Sequence, residues 1–199
     1  RMHHIPGWDV CVKHGTWLND SKIALRQTNK HVFIEPSEEN CPLDQVAFIT
    51  ESELLSHYRS IGNDIEALFT QRFPHRPLDW FQRHYEIKLQ QKHYASFISG
   101  KVDQAKLQRD FVQYYGNEFL ERLQSDLRGQ FHWLAAMVRK HRKSFHPLRH
   151  LLLMNFLGIS LEGMFYQDEQ YKPFGDGPWL CLNPAAEHYK QAVITNLVL

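Results

Sequence analysis

The chain has 199 residues, 23% of them charged and 13% aromatic, and a formal net charge of +1; this balance supports a hydrophobic core in one domain or two small ones and excludes a disordered chain. No uninterrupted apolar run reaches membrane-span length and the first residues carry no signal-peptide pattern, so a soluble protein is expected. Three widely spaced cysteines, Cys11, Cys41 and Cys181, beside thirteen histidines, argue against a disulfide framework and for a reducing compartment or metal use.

The first fifty residues are punctuated by Pro6, Gly7, Gly15, Pro36 and Pro42 and read as irregular, with short strand candidates at residues 30–35 and 45–49. From Thr50 the pattern turns helical. Thr50 to Glu53 fits a capping box, with Thr50 as N-cap, and Leu54, Tyr58, Ile61, Ile65 and Leu68 follow on one face. Pro74 and Pro77 interrupt the chain and offer a boundary between a small N-terminal module and the main helical part. Leu78, Phe81, Tyr85 and Leu89 define the next helix. Asp103 suits the cap of another, whose inner face is Leu107, Phe111 and Tyr114. Gly116 then reads as a stop and Asn117 as the next N-cap, for a helix carrying Leu120, Leu123 and Leu127 to Gly129. Residues 131–141 form a further candidate, with Leu134 and Val138 inward. Pro147 suits the first turn of a helix through Leu157, closed by Gly158. Ser160 caps a short helix with Leu161, Met164 and Phe165. A loop-rich tail follows, with a helical turn at Asn183 and a strand at residues 192–199. The fold class is mainly α. Two helix pairs joined by tight glycine turns, residues 104–115 with 117–127 and 147–157 with 160–166, are helix-turn-helix-like, and a plain bundle uses the same turns.

Charge is segregated along this scaffold. Residues 31–58 hold six acids and no Lys or Arg, whereas residues 127–161 hold Arg128, Arg139, Lys140, Arg142, Lys143 and Arg149 and no acid, +6 locally against −5 for the remainder. Six like charges repel one another, and such a patch usually meets a polyanion. The cations lead straight into Leu151, Leu152, Leu153, Met154, Phe156 and Leu157, apolar nearly all round a helical wheel and therefore a buried helix. The patch is expected to sit on a rigid support. Arg139, Lys140, Arg142, Lys143 and Arg149 are the expected DNA contacts, with His141 and His146 beside them and Arg128 and Lys106 as outlying candidates; a solvated basic face is the alternative.

Two cysteine–histidine spacings carry potential metal chemistry. Cys11 and His14 form a C-x2-H knuckle between Gly7 and Gly15, and Cys181 is followed by His188. Tetrahedral zinc needs four ligands, so each is half a site, and a core cysteine beside a surface histidine remains the alternative for both. No Gly-rich phosphate loop, nucleophile elbow or H-E-x-x-H is present. His146 and His150 are four apart on one helical face, but no carboxylate accompanies them to complete a hard-metal nuclease site.

Four stretches resemble the TniQ family, and within it the TnsD-type target-selection proteins of cut-and-paste transposons. They are His3-His-Ile-Pro-Gly7 through Val10-Cys-Val-Lys-His-Gly15; Phe111-Val-Gln-Tyr-Tyr-Gly116 with Phe119-Leu120; His132-Trp133-Leu134 through Lys143-Ser-Phe-His-Pro-Leu-Arg-His-Leu-Leu-Leu-Met154 to Phe156-Leu-Gly158; and Pro178-Trp179 with Cys181-Leu-Asn-Pro-Ala-Ala-Glu-His188. The resemblance implies that Cys11 and His14 are zinc ligands completed by an upstream C-x2-C pair, and that Cys181 and His188 open a second Zn2+ site closed by later cysteines. It divides the chain into an irregular zinc-finger-like segment (1–49), a helical DNA-binding domain (50–172) and the start of a zinc-ribbon-like module (173–199). It implies a non-enzymatic protein of the bacterial cytoplasm and nucleoid that binds a double-stranded DNA target and recruits a AAA+ ATPase regulator, which brings the transposase. An adaptor that docks the ATPase with little DNA contact is the alternative.

Overall fold

The leucine block becomes a deeply buried helix. In the computed structural model, which describes residues 2–24, 31–41, 46–129, 132–139, 144–168 and 178–196, helix α6 (Pro147–Leu157) buries Leu148, Leu151, Leu152, Leu153, Met154 and Leu157 to 3% exposure or less. Pro147 at its first position forgoes an N–H that would lack a helical partner. Gly158 ends the helix in the left-handed region (φ 71°, ψ 34°), so that Ile159 N–H turns back to Met154 O at 2.8 Å; both features follow the sequence expectation.

Around α6 the described residues place β1 (Val10–Cys11), β2 (Thr16–Trp17), α1 (Ser52–Thr70), α2 (Leu78–Gln91), α3 (Gln104–Tyr115), α4 (Asn117–Arg122), α5 (Trp133–Met137), α7 (Leu161–Tyr166), β3 (Trp179–Leu180) and β4 (Ala192–Ile194). The fold is mainly helical, and among the described residues no helix is long and apolar enough to cross a membrane. Helix α1 packs on α6, with its Tyr58, Ile61 and Ile65 buried and Leu54 and Leu68 half-buried beside them. Asn155 on α6 joins three elements: it donates to Ser60 and accepts from the hydroxyls of Tyr114 and Tyr115 at 3.2 Å each. One core cluster contains Trp8, Val10 and Ile49 together with residues of α1 to α7.

The N-terminal hairpin β1–β2 is antiparallel and closes against α1 at Gly62. A Cβ there would lie 2.6 Å from Val12 Cγ1 and 3.2 Å from Trp8, so only glycine admits the hairpin this closely. Polar contacts fix the rest of the seam. Tyr58 donates to Asp9 at 3.0 Å, and Arg122 stands 3.6 Å from the same carboxylate with its guanidinium 4.4 Å from the Trp17 ring centroid.

Helix α2 and Arg76 just before it supply the partners that the C-terminal end of α7 lacks. Trp80 Nε1–H donates to Met164 O (2.7 Å), Arg76 donates twice to Phe165 O (2.9 and 2.7 Å), and the buried His84 ring lies between Trp80 O (2.9 Å) and Gln167 O (2.8 Å). Arg83 pairs with Asp168 at 3.0 Å. The last carbonyls of a helix have no intrahelical donors, and here side chains from a helix eighty residues earlier in the chain provide them.

Several local expectations are corrected. The N-cap of α1 is Glu51, with no side-chain cap bond, because the chain is still extended there and Thr50 sits one residue too early. Gly116 (φ 79°) ends α3 and begins α4, so Asn117 is already helical. Helix α4 stops at Arg122, where Gln124 takes φ 50° and Ser125 N–H turns back to Leu120 O; Leu123 and Leu127 reach the core without a helix. Helix α5 is shorter than residues 131–141: the His132 ring caps it by accepting Ala135 N–H, and it ends at Met137. Residues 31–35 are not a strand, and the expected 45–49 strand reduces to a bridge between Phe48 and Thr16. Asn183 makes a hydrogen-bonded turn in place of a helix, and the last strand covers only Ala192–Ile194. The Asp103 and Ser160 caps form as expected, each accepting a backbone N–H at 3.0 Å.

Two consequences are measurable. Gly62→Ala is expected to cost about 1–3 kcal/mol through overpacking, read as a lowered thermal midpoint. Burial, reinforced at Tyr58 by Asp9, raises the pKa of Tyr58, Tyr85 and Tyr115 well above the ordinary tyrosine value. A group whose folded pKa is raised stabilises the fold fully below its unfolded pKa, about 10 for tyrosine, and that contribution is lost as pH climbs further. The urea midpoint should therefore hold from neutral pH to about 9 and fall above about 10.

Candidate nucleic-acid interface

The cationic approach to α6 is described at its two ends. Arg139 is exposed just beyond α5, and Ser144 and His146 are exposed where α6 begins; Lys140, His141, Arg142 and Lys143 lie outside the described residues. His146 is the N-cap of α6 and its Nδ1 accepts Leu148 N–H at 3.3 Å, leaving Nε2 to carry the proton. Burial first, and then the adjacent Arg149, lowers its pKa below the ordinary histidine value. At neutral pH His146 can donate one hydrogen bond but adds little charge.

Arg149 is half-buried. Its guanidinium lies 5.6 Å from the Trp133 ring centroid and donates to Gln124 O at 3.4 Å, so it leans on α5 and the turn after α4. Such packing immobilises a side chain that bidentate recognition of phosphate or guanine requires to be ordered. Arg128 is placed differently. It is exposed, but its Nη2 pairs with Glu121 at 3.0 Å and its Nε with Asp126 at 3.1 Å. Two carboxylates already answer its single charge. Lys106 lies towards the other end of α6: it donates to His93 O at 3.1 Å and stands 5.0 Å from the Tyr94 ring, which packs on Phe156. The structure therefore gathers His146 and Arg149 at the start of α6 and leaves Lys106 about two helical turns away.

Residues 145–148 also face an apolar cavity of about 840 Å³, walled by Ile65, Leu68 and Phe69 of α1, Phe81 of α2, Met154 of α6 and Phe165 of α7. Two of its histidines are engaged separately, since His150 Nδ1 is hydrogen-bonded to the Tyr85 hydroxyl at 2.8 Å while His146 faces its own helix. Sequence reasoning missed this cavity, because its walls come from four helices that only the fold brings together.

At the first cysteine–histidine pair, Cys11 Sγ and His14 Nδ1 are 3.3 Å apart. The tight turn is made by His14 N–H and Gly15 N–H both donating to Cys11 O, with Gly15 at φ 65°. Two zinc donors so placed fit one edge of a tetrahedron. At the second pair Cys181 is buried, and its N–H and C=O bond to Gln191 and Lys190 across the β3–β4 hairpin, with the exposed His188 in the connecting turn. Cys41 is half-buried and apart from both. Among the described residues no three metal-capable side chains converge, so each hairpin offers a half-set.

A family model described as Tn7-like transposition protein D matches residues 61–199, from α1 through the C-terminal hairpin. No curated protein and no solved structure matches the chain. Because neither cysteine–histidine pair belongs to the hydrophobic core cluster, EDTA is expected to leave the far-ultraviolet helical signal and its melting midpoint unchanged; a helical signal that collapses with chelation would show that a metal holds this chain together.

Proposed function

The chain belongs to the family of Tn7-like transposition protein D, whose role is in Tn7-like transposition, and from that premise we propose that it is a non-enzymatic selector of the insertion site that binds double-stranded DNA. The observation that carries the reading is the cationic run ending on the buried helix α6. Its Arg149 is braced against Trp133, and its other cations, Arg139, Lys140, Arg142 and Lys143, lie within a few residues upstream. Phosphate contacts from this run position the protein, and one or two arginines read guanine in the major groove. The helix pairs α3–α4 and α6–α7 are the helix-turn-helix candidates for that contact. Arg128, neutralised by Glu121 and Asp126, and Lys106, on the far side of α6, take the smaller share. Cys11 with His14, and Cys181 with His188, would each hold a zinc ion jointly with residues not among those described; the metal would supply structural closure of the hairpins. Once bound, the protein recruits the AAA+ ATPase regulator and through it the transposase, in the bacterial cytoplasm at the nucleoid. The resemblance to TniQ proteins supports the same role.

The second reading, an adaptor for the ATPase with little DNA contact, is favoured by the apolar cavity beside Phe145, which has no use for a phosphate backbone. Salt-dependent footprinting separates the two. Binding through phosphates gives a log–log salt slope of about −0.9 per contact. Arg142→Glu with Lys143→Glu is expected to flatten that slope by about 2 units and to weaken binding at least about a hundredfold at low salt. Equal affinity at low and high salt, or DNA binding untouched by the double charge reversal, would overturn the DNA reading in favour of the adaptor.

A further inference from the structure

The connection between α2 and α3 is a small, rigid hairpin with an apolar tip. His93 turns the chain with φ 59°, and Ala95 and Val102 form an antiparallel bridge. Its base is closed by Ser96 N–H to Lys101 O (3.0 Å) and Asp103 N–H to Tyr94 O (2.8 Å). Its tip is held by Gly100 N–H to Ser96 O (2.9 Å), while Ser96 Oγ accepts from both Ile98 and Ser99 at 3.3 Å. Ile98 stands at the apex, 100% exposed, and Phe97 beside it is 43% exposed with its ring 6.1 Å from that of His93.

A lone exposed aliphatic residue is ordinary. Ile98, held at the apex by a hydrogen-bonded turn with the partly exposed Phe97 behind it, cannot fold back to hide its surface. The sequence around them is rich in cations, and Asp110, which adjoins the hairpin, is taken up by the Tyr94 hydroxyl (3.2 Å) and by Arg109 (3.1 Å). From Lys88 to Lys106 there are four lysines and a single acid, Asp103, whose carboxylate is committed to capping α3. Lys92 and Lys101 are exposed at the base of the hairpin, and Lys106 is fixed over Tyr94.

We propose that this hairpin is a wedge for duplex DNA: Ile98, backed by Phe97, enters a base step from the minor groove while the lysines at its base hold the flanking phosphates. Apolar wedges of this size partly unstack a step and bend the duplex, and the cationic base supplies the attraction that a bare apolar tip lacks. The proposal rests on the DNA-binding reading above, and it adds a second contact at the opposite end of α6 from the cationic run.

The test uses the whole chain and the duplex it protects in footprinting, with 2-aminopurine placed at successive positions. The expected result is a rise in fluorescence at one step on binding. Ile98→Ala abolishes the rise and weakens binding about tenfold, the scale of one buried aliphatic side chain, with the salt slope unchanged; Ile98→Leu retains both. Because Ile98 is fully exposed, the helical signal of every variant should match the wild type. If the protein binds this DNA with no fluorescence change at any position, or Ile98→Ala binds and unstacks like wild type, the wedge is wrong and the DNA reading stands. If the wild type binds no DNA at any salt, both fall. If Ile98→Ala lowers association with phosphatidylglycerol vesicles and leaves DNA binding as it was, the hairpin is a lipid contact.

Discussion

Enclosure of α6 on nearly every side is the constraint from which the remaining arrangement follows. A helix with apolar residues all round cannot lie on a surface, so α1, α3, α5 and α7 have to pack around it. On its inner face the Asn155 amide is met by Ser60, Tyr114 and Tyr115, which pairs that amide and fixes the register of α1 and α3 against it. The exposed start of α6 is thereby held as firmly as its core. A cation mounted there, such as Arg149, inherits that order, whereas one on a loose loop would lose conformational freedom on binding its partner.

The parts of this fold that could be read in the sequence are those decided within a few residues. Asp103, Ser160, Pro147 and Gly158 act on their own helix ends, and the face from Leu54 to Leu68 follows from spacing alone. What escaped depends on residues far apart. Gln124 adopts a left-handed conformation without being glycine, and nothing in its neighbours announces it; the helix expected to run to Gly129 ends there. The bonds from Arg76, Trp80 and His84 to the end of α7 span more than eighty residues.

The candidate interface divides in the same way. The concentration of positive charge, and its junction with a buried helix, were visible as composition. The state of each charge was not. Arg128 looks equivalent to Arg149 in a count of cations, yet one is closed off by Glu121 and Asp126 and the other rests on an indole. Lys106, an outlying candidate in the sequence, is directed towards His93 and Tyr94. The exposed hairpin at Ile98 escaped because an isoleucine beside a phenylalanine reads as core until the turn around it is seen.

The grip of α2 on α7 bears on more than those two helices. Trp80, Arg76 and His84 hold the backbone carbonyls of residues 164, 165 and 167, and Arg83 holds Asp168, immediately before the chain continues towards the C-terminal hairpin. The backbone from Met164 to Asp168 is thus clamped by side chains whose own helix is anchored in the core through Tyr85 and Leu89. Loss of the Trp80 indole would orphan the Met164 carbonyl, so a substitution in α2 would loosen a stretch of backbone more than eighty residues further along the chain.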